Sequence, residues 1–258
     1  MISEFFNLEQ KLSAQLERLK SLGLCAVKGE FEAEGASFRD LLRLRRFTAE
    51  QGISLYLKVG GVEALRDLKD ALDLGVDGVI APMVESPFGV VKFNEAVESI
   101  FGGRRLFKSI NIETREAVER IDDILEVARG RVDNVTIGRT DLSRSYFDSV
   151  IQPDSTFIFD LIERLSYKVQ SAGLDLTVGG SLTSASVRIF SERKERLGDR
   201  VSSLETRKAV FPTDKMLQKD VLKESLRFEE LYLRFKLECE AWLSRADQER
   251  LTKLKSRL

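Results

Sequence analysis

Apolar positions along the chain switch repeatedly between a helical period and a strand period. Residues 7–22 set Leu8, Leu12, Leu16 and Leu19 on one helical face. The next run, LCAVKGE, alternates and leaves Lys28 and Glu30 opposite Val27. A basic amphipathic helix over 37–51 ends at Gly52, and residues 53–58 form a strand. Its Leu55 and Leu57 face helices, while Tyr56 and Lys58 face inward. The alternation continues through helix 62–74, strand 78–83, helix 88–101 and strand 106–112. A helix capped by Thr114, strand 133–138, helix 155–172, strand 175–179, helix 183–197 and strand 201–206 complete it. Such regular alternation with short connections predicts a parallel sheet with helices outside.

For 258 residues the expected fold is therefore α/β, a TIM-type (β/α)8 barrel. The pattern yields seven clear strands, one short of closure, counting those at 24–28 and 53–58 among them. Three accounts of the eighth remain open: residues 1–6 as a remnant strand, Lys208–Phe211 as an added one, or an incomplete barrel. No linker divides the chain, so residues 1–215 are expected to form the barrel domain and 216–258 a C-terminal helical extension. That extension carries Leu222, Leu226, Phe228, Leu231, Leu233 and Trp242 among alternating charges. The pattern suits a helical hairpin packed on the barrel or on a neighbouring subunit.

Composition narrows the chemistry. A hydrophobic share of 43% can fill a substantial core. Forty-one basic and 42 acidic residues leave a net charge of −1, so no overall field points to nucleic acid or an anionic membrane. No apolar run reaches membrane-spanning length, and the first residues lack a signal-peptide layout. Two cysteines, Cys25 and Cys239, build no disulfide framework, and a cytoplasmic, reduced setting is expected. Histidine is absent, which removes Ser-His-Asp and Cys-His nucleophiles and every His-containing metal site. Acid–base work falls to carboxylates, Lys, Tyr or metal-bound water.

The densest chemistry lies in residues 104–147. Strand 106–112 alternates Phe107, Ser109, Asn111 and Glu113 against Lys108, Ile110 and Ile112, and the next strand runs into Arg139, Thr140 and Asp141. A parallel βαβ unit brings Glu113 and Asp141 to the same end of neighbouring strands. Two carboxylates there suit a hard divalent cation such as Mg²⁺ or Mn²⁺, the alternative being two solvated charges at loop entrances. Lys28, Glu30, Lys58, Ser181, Glu205 and Arg207 join them on the inner face, more polar than a packing layer requires. The Gly179-Gly180 pair suits either a phosphate-binding helix start or a tight strand–helix turn.

The run INIET-x-x-A-x-x-x-x-D-x-I-L, followed by D-x-V-x-I-G-x-x-DLS, resembles the HpcH/HpaI aldolase and citrate lyase β-subunit family of the phosphoenolpyruvate/pyruvate barrel superfamily. The likeness extends from about Gly23 to Phe211. It implies a divalent-metal-dependent carbon–carbon lyase or aldolase acting on a 2-oxo acid or related carboxylate through a metal-stabilised enolate. Glu113 and Asp141 match the family's metal ligands, and Lys58 matches its substrate-anchoring arginine, without the bidentate fork. The family's D-G-E-H run is here Lys28-Gly29-Glu30-Phe31, so its histidine base is lost. Glu30 matches the family's Glu in that run, and Glu32 or Glu34 in the loop beyond is the substitute base; the alternative is loss of aldol chemistry. Arg139 replaces a family proline. The expected site is thus Lys58 and Glu30 for catalysis, Glu113 and Asp141 for the metal, and Lys28, Arg139, Ser181 and Arg207 for a small carboxylate substrate. The resemblance also implies a homo-oligomer joined through C-terminal helices. Two other readings stand beside it: a Schiff-base aldolase using Lys58, or Lys28, and a non-enzymatic barrel that binds a ligand or serves as a scaffold.

Overall fold

The computed structural model describes residues 2–258, and its eight strands close into one barrel. The strands are β1 (Ala26–Glu30), β2 (Ser54–Lys58), β3 (Gly78–Ala81), β4 (Phe107–Ile112), β5 (Asn134–Gly138), β6 (Asp175–Gly179), β7 (Ser203–Glu205) and β8 (Ala209–Pro212). The helices around them are α1 (Ile2–Ser21), α2 (Phe38–Glu50), α3 (Leu65–Leu74), α4 (Pro87–Phe101), α5 (Arg115–Glu119) and α6 (Ile121–Ala128). They continue as α7 (Arg139–Arg144), α8 (Thr156–Ser171), α9 (Ser184–Glu192), α10 (Lys194–Leu197), α11 (Thr213–Met216) and α12 (Val221–Lys255).

Strands β1 to β7 pair in parallel, in order. The eighth strand differs: β8 runs antiparallel to both β7 and β1. The 208–211 segment is therefore the one that completes the sheet, with the strand itself running over Ala209–Pro212. Residues from Ile2 onward are helical and form no remnant strand, and Met1 lies outside the described residues. The physical reason is chain length. Only three residues join β7 to β8, too few for a parallel crossover and enough for a hairpin. Thr206 pins that turn, its Oγ1 accepting from Ala209 N at 3.0 Å. The turn necessarily sits at the C-terminal end of the parallel strands, where it presents Arg207 and Lys208.

Outward residues of the strands, such as Val27, Leu55, Leu57, Val79, Ile110 and Ile137, are buried under the helices. The interior is layered. Near the N-terminal ends Tyr56 stacks on Phe107 with ring centroids 4.4 Å apart. Above them Asn134 Nδ2 donates to Ser109 Oγ at 2.8 Å and Thr177 Oγ1 donates to Asn134 Oδ1 at 3.0 Å, a closed polar layer. Charged groups fill the C-terminal end.

The extension is one helix of 35 residues rather than a hairpin. Val221, Ser225, Phe228, Tyr232, Phe235 and Cys239 repeat at three- and four-residue intervals and are buried, a single continuous stripe along one uninterrupted helix. Gln15 of α1 donates to Glu224 Oε2 at 2.8 Å, and Phe47 of α2 meets Phe235 edge-on at 5.4 Å. Past Cys239 the helix leaves the barrel with Trp242, Leu243, Leu251 and Leu254 exposed. Among the described residues no helix is long and apolar enough to cross a membrane.

Candidate active site

The barrel's C-terminal end opens into a cavity floored by inward residues of β1, β2, β4 and β7. Register decides who meets whom. Glu30 pairs with Lys58 across β1 and β2, and Asn111 with Thr136 across β4 and β5. Glu113 and Glu205 lean over β5 and β6, where glycine leaves them room. A Cβ on Gly138 would lie 2.5 Å from Glu113 Oε1, and one on Gly179 would lie 2.7 Å from Glu205 Cγ.

The side chains form an alternating ionic lattice. Lys28 Nζ lies 2.6 Å from Glu205 Oε1 and 3.1 Å from Glu30 Oε1. Lys58 Nζ lies 3.2 Å from Glu113 Oε1 and 3.1 Å from Glu32 Oε2. Arg207, half-exposed at the hairpin turn, reaches Glu30 Oε2 at 3.2 Å. Glu113 also accepts from Asn111 Nδ2 at 2.9 Å and from Met83 N at 3.3 Å. Burial by itself would favour neutral lysines, but the carboxylates around Lys28 and Lys58 outweigh it and hold both ammonium groups above the ordinary lysine range. For Glu30, burial pushes upward, and Lys28, Lys58 and Arg207 more than reverse that, leaving its carboxyl below the usual range.

The structure thus brings together Lys28, Glu30, Lys58, Glu113, Asp141, Ser181 and Arg207, all on the cavity wall. Ser181 stands at its edge in a left-handed backbone conformation, φ 49°, with its hydroxyl 2.9 Å from Thr140 Oγ1. Arg139 is the exception and corrects the expectation. Its side chain is fully buried and turned away from the cavity. Nε donates to Gly179 O at 3.1 Å, Nη1 to Pro153 O and Asp154 Oδ1, and Nη2 to Gly180 O and Ser186 Oγ. With every donor engaged, and with the rings of Phe159 and Phe190 close by, Arg139 fastens the loop after β6 and has nothing left for substrate. The Gly179-Gly180 turn is accordingly a strand–helix turn. The Thr183–Ser186 capping box satisfies the start of α9.

Sequence reasoning did not assign Asn111, Thr140, Arg144 or Glu229 to the site. Asn111 shares the inward period of Glu113, and Arg144 lies one helical turn past Thr140 and Asp141, so both had a local signal. Glu229 had none, because α12 reaches the cavity only through long-range packing.

A divalent cation finds suitable chemistry here. Among the described residues no group of three or more His, Cys, Asp or Glu side chains forms a metal cluster. What is present is the Glu113 carboxylate, the Asp141 carboxylate and Asn111 Oδ1, an amide oxygen that is buried and accepts no hydrogen bond. These are hard oxygen donors, few in number, and fit a cation that retains much of its water, as Mg²⁺ does.

A family model described as HpcH/HpaI aldolase/citrate lyase matches residues 37–175, a span that includes Lys58, Glu113 and Asp141. An HpcH/HpaI aldolase from Desulfitobacterium hafniense DCB-2 superposes with a TM-score of 0.61 at 20% identity, covering 76% of this chain and 81% of that one. An HpcH/HpaI aldolase/citrate lyase family protein from Burkholderia cenocepacia J2315 gives 0.59 at 16%, covering 94% and 90%. The citrate synthase SbnG gives 0.55 at 20%, covering 70% and 78%. At these identities the structural likeness establishes the fold. A search of the curated proteins finds no match.

Proposed function

Because the chain belongs to the HpcH/HpaI aldolase/citrate lyase family, we propose that its cavity makes or breaks a carbon–carbon bond of a 2-oxo acid or related carboxylate with the help of Mg²⁺ or Mn²⁺. The charge of the cavity wall carries this reading. Four cationic side chains and six carboxylates line it, an excess of two negative charges. An anionic substrate would be repelled from such a wall, and one divalent cation cancels the excess. When bound, the cation would supply Lewis-acid charge to the substrate's carboxylate and carbonyl oxygens.

The chain's own groups supply the rest. Glu113 and Asp141 would hold the cation, with Asn111 Oδ1 beside them. Lys58 stays charged next to Glu113 and offers positive charge to the enolate oxygen as it develops. Arg207 and Arg144 stand at the mouth, where they suit a distal carboxylate. Thr140 and Ser181 offer hydroxyls at the edge. A Schiff base on Lys58 or Lys28 is disfavoured, because the flanking carboxylates hold both amines in the non-nucleophilic ammonium form. One neighbour of this fold is described as a citrate synthase, which makes condensation as natural a direction as cleavage.

The test is deuterium exchange at the pyruvate methyl group, followed by NMR with Mg²⁺ or Mn²⁺ and with EDTA. Exchange that needs the metal and disappears in Glu113→Gln is expected. Exchange unaffected by EDTA, or intact in Glu113→Gln, would remove the cation from the reaction.

A further inference from the structure

The chain contains no histidine, yet either direction of the proposed reaction needs a group that takes and returns a proton. Of the six carboxylates on the cavity wall, four are committed to cations: Glu30 to Lys28 and Arg207, Glu32 and Glu113 to Lys58, and Glu205 to Lys28. Glu34, just outside the wall, is bound to Lys208 at 2.5 Å. Asp141 and Glu229 make no side-chain hydrogen bond or ion pair with any described residue. Asp141 belongs with Glu113. Glu229 does not: it comes from α12, one turn past Leu226, and the two side chains together form a wall of the cavity that no strand contributes.

We propose that Glu229 is the proton carrier of the reaction, an assignment that rests on the lyase reading. Its surroundings fit the role. Burial raises its carboxyl above the ordinary range; Lys208 and Arg207 of the hairpin turn pull it down, and Glu34 and Glu30 push it up again. A carboxyl moved toward neutrality serves as base and as acid in one cycle. Glu30, held low by three cations, is a poorer base, and its contribution is to keep Lys28 and Arg207 in place.

In the cleavage direction the substrate hydroxyl's O–H bond breaks and the proton passes to the Glu229 carboxylate. The carbon–carbon bond then breaks, an aldehyde or ketone leaves, and the electron pair remains as the enolate of the acid. Protonated Glu229 returns its proton to the enolate carbon. Protons and electrons balance with no further reactant. In D₂O the last step, run back and forth, exchanges the methyl hydrogens of pyruvate.

The experiment compares the full-length protein with Glu229→Gln and Glu229→Asp in pyruvate exchange from pH 5 to 9. Mn²⁺ affinity and thermal melting serve as checks on the site and the fold. Wild-type exchange should rise through one ionisation above the ordinary carboxylate range. Glu229→Gln should lose about 10²–10⁴-fold and the pH dependence with it, at unchanged Mn²⁺ affinity, and Glu229→Asp should recover part. A Gln variant within about threefold of wild type, with the same profile, overturns the assignment. Carboxyl ¹³C NMR of glutamate-labelled protein gives an answer that needs no turnover. The resonance missing from Glu229→Gln should titrate above ordinary glutamates, and an ordinary value also overturns the assignment. A wild-type protein without metal-dependent exchange counts against the lyase reading, while the titration still decides Glu229.

Discussion

Gly138→Ala puts a single methyl group where the structure has none to spare. The new Cβ would sit 2.5 Å from Glu113 Oε1 and 2.7 Å from its Cγ. Comfortable carbon–carbon contact begins near 3.5 Å, so the carboxylate must retreat by about 1 Å. It then leaves Lys58, Asn111 and Met83 N, which hold it now at 3.2, 2.9 and 3.3 Å. Glu113 and Lys58 are both buried, and deleting one partner of such a pair costs about 3–5 kcal/mol, an upper bound here because Lys58 keeps Glu32 at 3.1 Å. For a chain of this size each kcal/mol lowers Tm by about 2–4 °C, which predicts a fall of several degrees and at most about 20 °C. If Glu113 holds the proposed cation, divalent affinity should fall in the same variant, because the cation would share that carboxylate with Lys58. Gly61→Ala is the control: an added Cβ there meets nothing within 4 Å, and its effect should stay within about 0.5 kcal/mol. Thermal unfolding of the two variants decides the matter. A Gly138→Ala protein that melts within about 2 °C of wild type would refute the claim that glycine here is required by Glu113.

Two further outcomes follow from the lattice and from α12. Glu30 has a lowered carboxyl pKa in the fold, so its ionisation stabilises the protein above the ordinary carboxylate pKa, and that contribution is lost as pH falls through the lower folded value. The Tm advantage of wild type over Glu30→Gln should therefore be full at pH 7 and shrink below about pH 4; a gap independent of pH would contradict the ion-pair account. On the protruding end of α12, Leu243 and Leu251 are about half-exposed, and we expect this segment to join copies of the chain. Leu243→Glu with Leu251→Glu should shift sedimentation toward the monomer without lowering Tm below that of the barrel, and an unchanged sedimentation profile would argue against the contact.

What could be read from the sequence was local. Glu113 follows β4 directly, so that strand's alternation fixed its face, whereas Asp141 lies in the first turn of α7 and was placed only by following β5 at the same end of the barrel. The same rule found Lys28, Glu30 and Lys58, whose neighbours Val27, Leu55 and Leu57 are all fully buried. Arg139 was misjudged because neighbouring positions were assumed to share a destination. One residue past the end of β5 the chain already turns into α7, and the guanidinium swings behind the wall toward Asp154 and the carbonyls of Gly179 and Gly180. A side chain with five donors goes where five acceptors are, and all five of those acceptors lie more than a dozen residues further along the chain.

The antiparallel closing strand explains why the site exceeds what a periodic reading provides. In a barrel of parallel strands every loop at the catalytic end leads outward to a helix. Here the β7–β8 hairpin turns back on itself at that end, which holds Arg207 beside Glu30 and buries Lys208 against Glu34 and the ring of Tyr232. Tyr232 belongs to α12, on the same helix that delivers Leu226 and Glu229 to the cavity. Reversal of one short strand and docking of the last helix are thus coupled through Lys208: the turn offers the cation, and the helix and the loop after β1 close over it. Burial lowers that lysine's pKa, with the Glu34 carboxylate opposing. The wall that carries Glu229 is consequently held by the closing strand rather than by the helix alone.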